Sequence, residues 1–153
     1  MEKIGYHISH EHSIDYVIAI GTGGWLLAKI LRNNLPPKNG LPVTVYSIGI
    51  LGYDKDNKLL KEPYVYQKLP PDLDLSDKVV LLIDEVTDTG RIYETGYNYV
   101  KSLKPKKLLT AVLHKKASST FLPDYVGKYR NNRWIRYPWD KVRWKKAKTK
   151  QRI

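Results

Sequence analysis

Cysteine is absent from this chain, which excludes disulfides, thiolate metal sites and thiol nucleophiles and leaves nothing that points to an oxidising compartment. Also missing is any apolar run near the roughly 20 residues that a membrane-spanning helix requires. No charged-then-apolar leader opens the sequence. A cytoplasmic protein is therefore expected. No Gly-Lys-Ser or Gly-Lys-Thr occurs, so the phosphate loop of the P-loop ATPases is excluded as well. Acids are missing from one region in particular: residues 141–153 carry Lys141, Arg143, Lys145, Lys146, Lys148, Lys150 and Arg152 with no Asp or Glu among them. The net charge of +12 would by itself suggest a nucleic-acid binder, but without this basic tail only +5 remains. What is present is a 153-residue chain, 42% apolar, with twelve Tyr and four Trp. That length fits a single domain able to bury about two thirds of its unfolded surface.

The stretch Val79 to Arg91, V-V-L-L-I-D-E-V-T-D-T-G-R, organises the rest. Val79 to Ile83 is short, apolar and β-branched, and reads as a buried parallel strand. It ends at Asp84 and Glu85. Thr87-Asp88-Thr89-Gly90 suits a tight loop, and Arg91 to Leu103 has the apolar spacing of a helix. Amides of such a loop, at the positive end of a helix, form an anion site. The two acids need cations or hydroxyls instead. A ligand with a phosphate at one end and diol hydroxyls with Mg²⁺ at the other satisfies both halves, and phosphoribosyl diphosphate (PRPP) is such a ligand. A hydrophobic strand, two acids, two residues and then D-T-G resembles the PRPP-binding signature of the type I phosphoribosyltransferases.

Along the rest of the chain, Met1 to Asp15 is polar, with His7, His10, His12 and Glu11, and reads as a solvated terminus. Three His could ligate a metal, but no helical register places all three on one face. Tyr16 to Ile20 is a second buried strand. Gly21-Thr22-Gly23-Gly24 follows it, then an apolar helix from Trp25 to about Arg32. This glycine loop lets amides approach a phosphate, although its sixth position, Leu26, fails the dinucleotide fingerprint. Pro42 to Ile48 is another strand. Residues 49–71 lose the core pattern, and two apolar patches around D-K-D-N predict a projecting hairpin. Lys104-Pro105-Lys106-Lys107 is a turn, and Leu108 to Leu113 a further strand that ends in His114-Lys115-Lys116.

A Lys that closes a strand, then Pro123-Asp124-Tyr125, then Trp134-Ile135-Arg136-Tyr137-Pro138-Trp139-Asp140, is similar to the 6-oxopurine phosphoribosyltransferases of the xanthine-guanine and archaeal hypoxanthine-guanine type. Residues 16 to 140 share the likeness. It implies an α/β fold, with a mainly parallel twisted sheet flanked by helices, a mobile hairpin at 49–71 that closes over the reacting centre, and a small C-terminal hood at 125–140. It implies transfer of phosphoribose from PRPP to hypoxanthine, guanine or xanthine with Mg²⁺, as in purine salvage, and a homodimer or homotetramer. By resemblance, Asp84 and Glu85 hold the ribose hydroxyls and organise Mg²⁺, with Asp140 as a further metal contact. Asp88 is the general base at the purine N7. Thr87, Asp88, Thr89, Gly90 and Arg91 take the 5′-phosphate, and Thr22, Gly23 and Gly24 take the diphosphate.

A purine needs a flat apolar partner, which Trp134 can supply with Ile135 beside it. Its 6-oxo group is an acceptor, so it calls for the ammonium of Lys116 or of Lys115, and a Lys is the wrong partner for a 6-amino group. Successive strand residues point to opposite sides, so only one of the two faces the base. Lys116 matches the archaeal spacing and Lys115 the bacterial one. Two departures stand out. Thr22 occupies a position where relatives place Arg or Lys, for which Lys29, Lys55 or Lys61 would have to substitute, and the N-terminus is short, with residues 1–15 before the first strand where relatives often have an extra helix. The tail from Lys141 is outside the pattern, and RNA or another polyanion is a conceivable partner for it. The alternative to an enzyme is a non-catalytic nucleotide-sensing or RNA-binding regulator on the same fold.

Overall fold

The apolar runs form the middle of the sheet because both of their faces are covered. The computed structural model of the protein describes residues 2–54, 56 and 58–139. In β1 (Tyr16–Gly21), Val17 and Ala19 face one core cluster while Ile18 and Ile20 face a second. In β4 (Val79–Thr87), Leu81 and Ile83 share the first cluster, and Val80 and Leu82 the second. A strand buried on both faces has no polar alternation, hence the continuous run. Helices α1 (Glu2–Glu11) and α2 (Gly23–Arg32) cover the first face, and α3 (Arg91–Ser102) covers the second.

Six strands stand in the order β3-β2-β1-β4-β5-β6, with β2 (Thr44–Tyr53), β3 (Leu59–Gln67), β5 (Lys107–Lys116) and β6 (Tyr125–Arg130) completing the sheet. Every pairing is parallel except β2 with β3. This is the α/β architecture expected from the sequence. The chain leaves β1 towards β2 on one side and leaves β4 towards β5 on the other, so the winding reverses between β1 and β4. In such sheets ligands bind outside the carboxyl ends of the strands at that reversal. Gly21 and Asp84–Thr87 lie there.

Several local expectations are corrected. Residues 2–11 form a helix, not a solvated terminus, because Ile4 and Ile8, four apart, put one face into the core. Full burial of Ile8 contributes about 1.5–3 kcal/mol. The short N-terminus is thus no bar to an extra helix. His10 packs on Tyr6 with ring centroids 3.9 Å apart, and His12 lies 3.8 Å from Glu11. Helix α2 begins at Gly23, so Gly23 and Gly24 belong to its first turn and not to a loop before it. Gly24 is needed there, since a Cβ would sit 2.6 Å from the carbonyl of Ile83 on β4. The strands also outrun their apolar cores. β4 continues through both acids to Thr87, and β5 through His114 to Lys116, because the two pair in register as Thr87 with Lys115.

The hairpin of residues 49–71 is built from the extended end of β2 and from β3, which is an edge strand of the sheet. Its turn is organised by Asp54, whose Oδ1 accepts the amides of Asp56 and Lys58 at 2.8 and 2.9 Å. At the opposite edge, β6 is fastened by Asp124. Its Oδ2 accepts both the amide and the hydroxyl of buried Thr110, at 2.8 and 2.7 Å. Asp140 and the tail 141–153 lie outside the described residues, as do Lys55 and Asn57. Among the described residues no helix is long and apolar enough to cross a membrane.

Candidate active site

A cleft of about 320 Å³ opens where the winding reverses. The carboxyl end of β1 and the start of α2 supply Gly21, Thr22 and Gly23, and the end of β4 and the loop after it supply Asp84 to Gly90. β5 contributes Lys116, the hairpin Tyr53, and the hood Trp134, Ile135 and Tyr137. The Gly21–Thr22 peptide bond is cis. Among the described residues, three carboxylates and one ammonium line this space, through Asp84, Glu85, Asp88 and Lys116. A highly charged anionic ligand therefore needs added cations to enter it.

At the end of the cleft formed by the loop after β4, Gly90 caps α3 with φ of 98°, a left-handed conformation that favours glycine. A Cβ there would also stand 2.7 Å from the amide of Phe121. Gly90 has no side chain with which to cap α3, and the Arg91 amide meets Thr89 Oγ1 only at 3.5 Å; the first amides of a helix are the groups that an anion would meet. Arg91 opens α3 and is not among the lining residues. Tyr93, one turn into the helix, is fully buried. Its hydroxyl lies 2.8 Å from the carbonyl of Leu82 and 2.9 Å from that of Ala111, and so ties α3 to both β4 and β5. Burial pushes the phenol well above its ordinary range, with the Asp84 charge adding to the effect.

The paired acids differ. Asp84 is raised well above the usual carboxylate range, first by burial; the Glu85 amide that it accepts at 2.7 Å opposes this, and the Glu85 charge adds to it. Glu85 reaches towards α2, so close to Gly23 that a Cβ at that residue would meet the Glu85 carboxyl carbon at 2.4 Å. Its Oε2 accepts the indole N–H of Trp139 at 2.7 Å. Two adjacent acids, one held above its normal pKa by burial, suit a hard cation. Mg²⁺ is commonly held by one or two carboxylates, with the remaining ligands from substrate and water. Among the described residues no group of three acids or histidines converges, and such a site needs none.

At the end of β5 the two lysines part. Lys116 Nζ lies 2.6 Å from Asp88 Oδ2 and 5.8 Å from the centroid of the Trp134 ring. Lys115 is turned away and donates to the carbonyl of Ser119 at 2.8 Å. Trp134 is 80% exposed and faces the cleft, so it is not a core residue. Behind it, Tyr137 is buried, stacks on Trp139 at 5.0 Å, and sets its hydroxyl 2.9 Å from His114 Nδ1 and 3.2 Å from the carbonyl of Glu85. Burial first, then the charges of Arg130 and Lys128, hold His114 below its ordinary range, so the ring is neutral at pH 7.

The sequence left some of this unseen. Gly24 packs against β4 outside the cleft, while Thr22 and Gly23 line it. Lys29 and Lys61 are exposed and are not among the residues that line it. Ser118, Ser119 and Thr120 bond to Asp88, Thr87 and Thr89, yet generic hydroxyl residues give no signal. Trp139 and Tyr137 could have been suspected from their W-I-x-x-P-W context.

The phosphoribosyl transferase domain matches residues 2–141. The bifunctional protein PyrR of Limosilactobacillus fermentum is 29% identical over 137 residues, which cover 84% of this chain and 76% of that one. PyrR of Clostridium beijerinckii is 30% identical over 132 residues, 79% of this chain and 74% of its own. A purine phosphoribosyltransferase from Pyrococcus horikoshii superimposes with a TM-score of 0.72 at 26% identity, over 92% of this chain and 89% of that one. A hypothetical protein from Neisseria gonorrhoeae with bound ppGpp reaches 0.73 at 28%, over 93% and 85%. This chain thus belongs to the phosphoribosyl transferase domain family, and its cleft is that of a phosphoribosyltransferase.

Proposed function

We propose that the base accepted by this phosphoribosyltransferase is a 6-oxopurine (hypoxanthine, guanine or xanthine), and that the products are the nucleoside monophosphate and diphosphate, as in purine salvage. The observation that carries this reading is the pair Lys116–Asp88 at 2.6 Å beneath the exposed face of Trp134. Trp134, with Ile135 at its side, offers a flat surface to the purine. Lys116, a donor only, meets the 6-oxo acceptor, and Asp88 takes the proton from N7. The amides of Thr87 to Arg91 bind the 5′-phosphate, and those at Thr22 and Gly23 take the diphosphate. Asp84 and Glu85 hold the ribose hydroxyls and Mg²⁺, and Asp140 is a further contact. When bound, Mg²⁺ offsets diphosphate charge that a cleft with one lysine cannot. The hairpin of residues 49–71, which brings Tyr53 to the cleft, closes over the centre and keeps water from PRPP. A homodimer or homotetramer is the proposed assembly.

The test is nucleotide formation from PRPP and Mg²⁺ with hypoxanthine, guanine, xanthine, adenine and uracil in parallel. Turnover confined to one or more 6-oxopurines, reduced about 10²–10⁴-fold by Asp88→Asn, is the expected result; turnover of adenine or uracil alone would replace the substrate. A second reading, ligand sensing without transfer, is favoured by the name bifunctional among the relatives and by the ppGpp in the Neisseria structure. It predicts no turnover with any base, and salt-sensitive RNA binding that disappears when residues 141–153 are removed.

A further inference from the structure

Immediately after β5 the chain folds back over the phosphate loop and meets it residue by residue. Ser119 Oγ is 2.7 Å from Thr87 Oγ1, and Thr120 donates its amide and its hydroxyl to the carbonyl of Thr89, at 3.1 and 3.2 Å. Ser118 makes the contact nearest to the chemistry. Its hydroxyl lies 2.9 Å from the Asp88 carbonyl and 3.3 Å from Asp88 Oδ1. Its own amide donates to Asn132 Oδ1 at 2.9 Å, which fixes the serine from the side of the hood.

We propose that Ser118 is a positioning residue for Asp88, holding the carboxylate in the orientation from which it receives the purine proton. The proposal rests on the phosphoribosyl-transfer reading above. In the structure Asp88 is held at two points: Oδ2 by Lys116, and the backbone carbonyl by Ser118, whose single hydroxyl proton is shared with Oδ1 at the longer distance. A carboxylate turns about its terminal bond with little hindrance unless donors pin it. When Lys116 turns to the 6-oxo group of an arriving base, it is shared or lost as a partner of Asp88. Ser118 is then the side-chain donor that stays, and a carboxylate misplaced by an ångström loses much of its catalytic value. Asn132 joins the same chain of contacts to the segment that carries Trp134, so the hood and the general base are positioned together.

The experiment compares Ser118→Ala, Ser118→Thr and Thr120→Ala with the wild type in steady-state turnover of a 6-oxopurine and in calorimetric binding of the corresponding nucleoside monophosphate. Ser118→Ala is expected to lower kcat about 10-fold or more, with the KM for PRPP and the nucleotide affinity little changed, and Ser118→Thr, which keeps the hydroxyl, to recover most of it. Thr120→Ala, which touches only the phosphate loop, is expected to show the opposite split, with raised KM and weakened nucleotide binding. Equal kcat in Ser118→Ala and wild type would overturn the proposal alone. So would equal losses of kcat and of nucleotide affinity in Ser118→Ala and Thr120→Ala, since that pattern marks a general structural role. Absence of turnover by the wild type with any base would remove the transfer reading, and this proposal with it.

Discussion

At the scale of the residue, the cleft is a place where stability is lost in favour of chemistry. Asp84 is half-buried beside a second acid, and its carboxyl is raised well above the ordinary range, chiefly by desolvation. An acid whose folded pKa exceeds its unfolded value favours the fold while protonated, so the native state loses stability as pH rises from the unfolded value of about 3.9 through the raised folded one. Asp84→Asn keeps an acceptor for the Glu85 amide and removes the charge. Its melting temperature should exceed that of the wild type by a margin that grows between pH 4 and pH 8, while turnover falls. A constant margin across that range would mean that Asp84 is not the titrating group. The contrast between Lys115 and Lys116 belongs to the same scale. Alternation along a strand says that the two neighbours separate, but which of them meets Asp88 depends on where β4 ends and the loop turns, and that is long-range information.

At the scale of the element, buried strands were legible because each is covered on both faces and needs no polar alternation, as in Val79–Ile83 and Tyr16–Ile20. Their ends were not legible. β4 and β5 extend through acids and lysines because ladder pairing, rather than apolar content, decides where a parallel pair stops. Helix α1 was hidden because only Ile4 and Ile8 mark its buried face in a segment crowded with His. The Pro123-Asp124-Tyr125 block, which served as a family marker, turns out to be a fastening. Asp124 satisfies the buried amide and hydroxyl of Thr110 and sets the start of β6. Asp124→Ala should destabilise the protein by about 1–3 kcal/mol, because it leaves those donors without an acceptor. In hydrogen exchange the loss should appear first as weakened protection of β6, ahead of β1 and β4. Uniform weakening across the sheet would show that β6 does not open on its own.

At the scale of the whole molecule, the site belongs to no single stretch. Its floor is the reversal between β1 and β4, one end is the cap of α3, and the other is closed by residues after β6. Two bonds tie the last of these to the first, from the Tyr137 hydroxyl to the Glu85 carbonyl at 3.2 Å and from the Trp139 indole to the Glu85 carboxylate at 2.7 Å. The second bond gives the protein an optical reporter of its own. Indole emission depends on what the ring N–H meets, and under the proposed function substrate hydroxyls or Mg²⁺ at Glu85 would compete for the same oxygen. Addition of Mg²⁺ and PRPP should therefore shift or quench the intrinsic fluorescence, and the change should be largely absent from Trp139→Phe although three other tryptophans remain. An unchanged spectrum on saturation would mean that Glu85 keeps its indole partner while ligand binds, and that the hood and the acids act as one fixed wall.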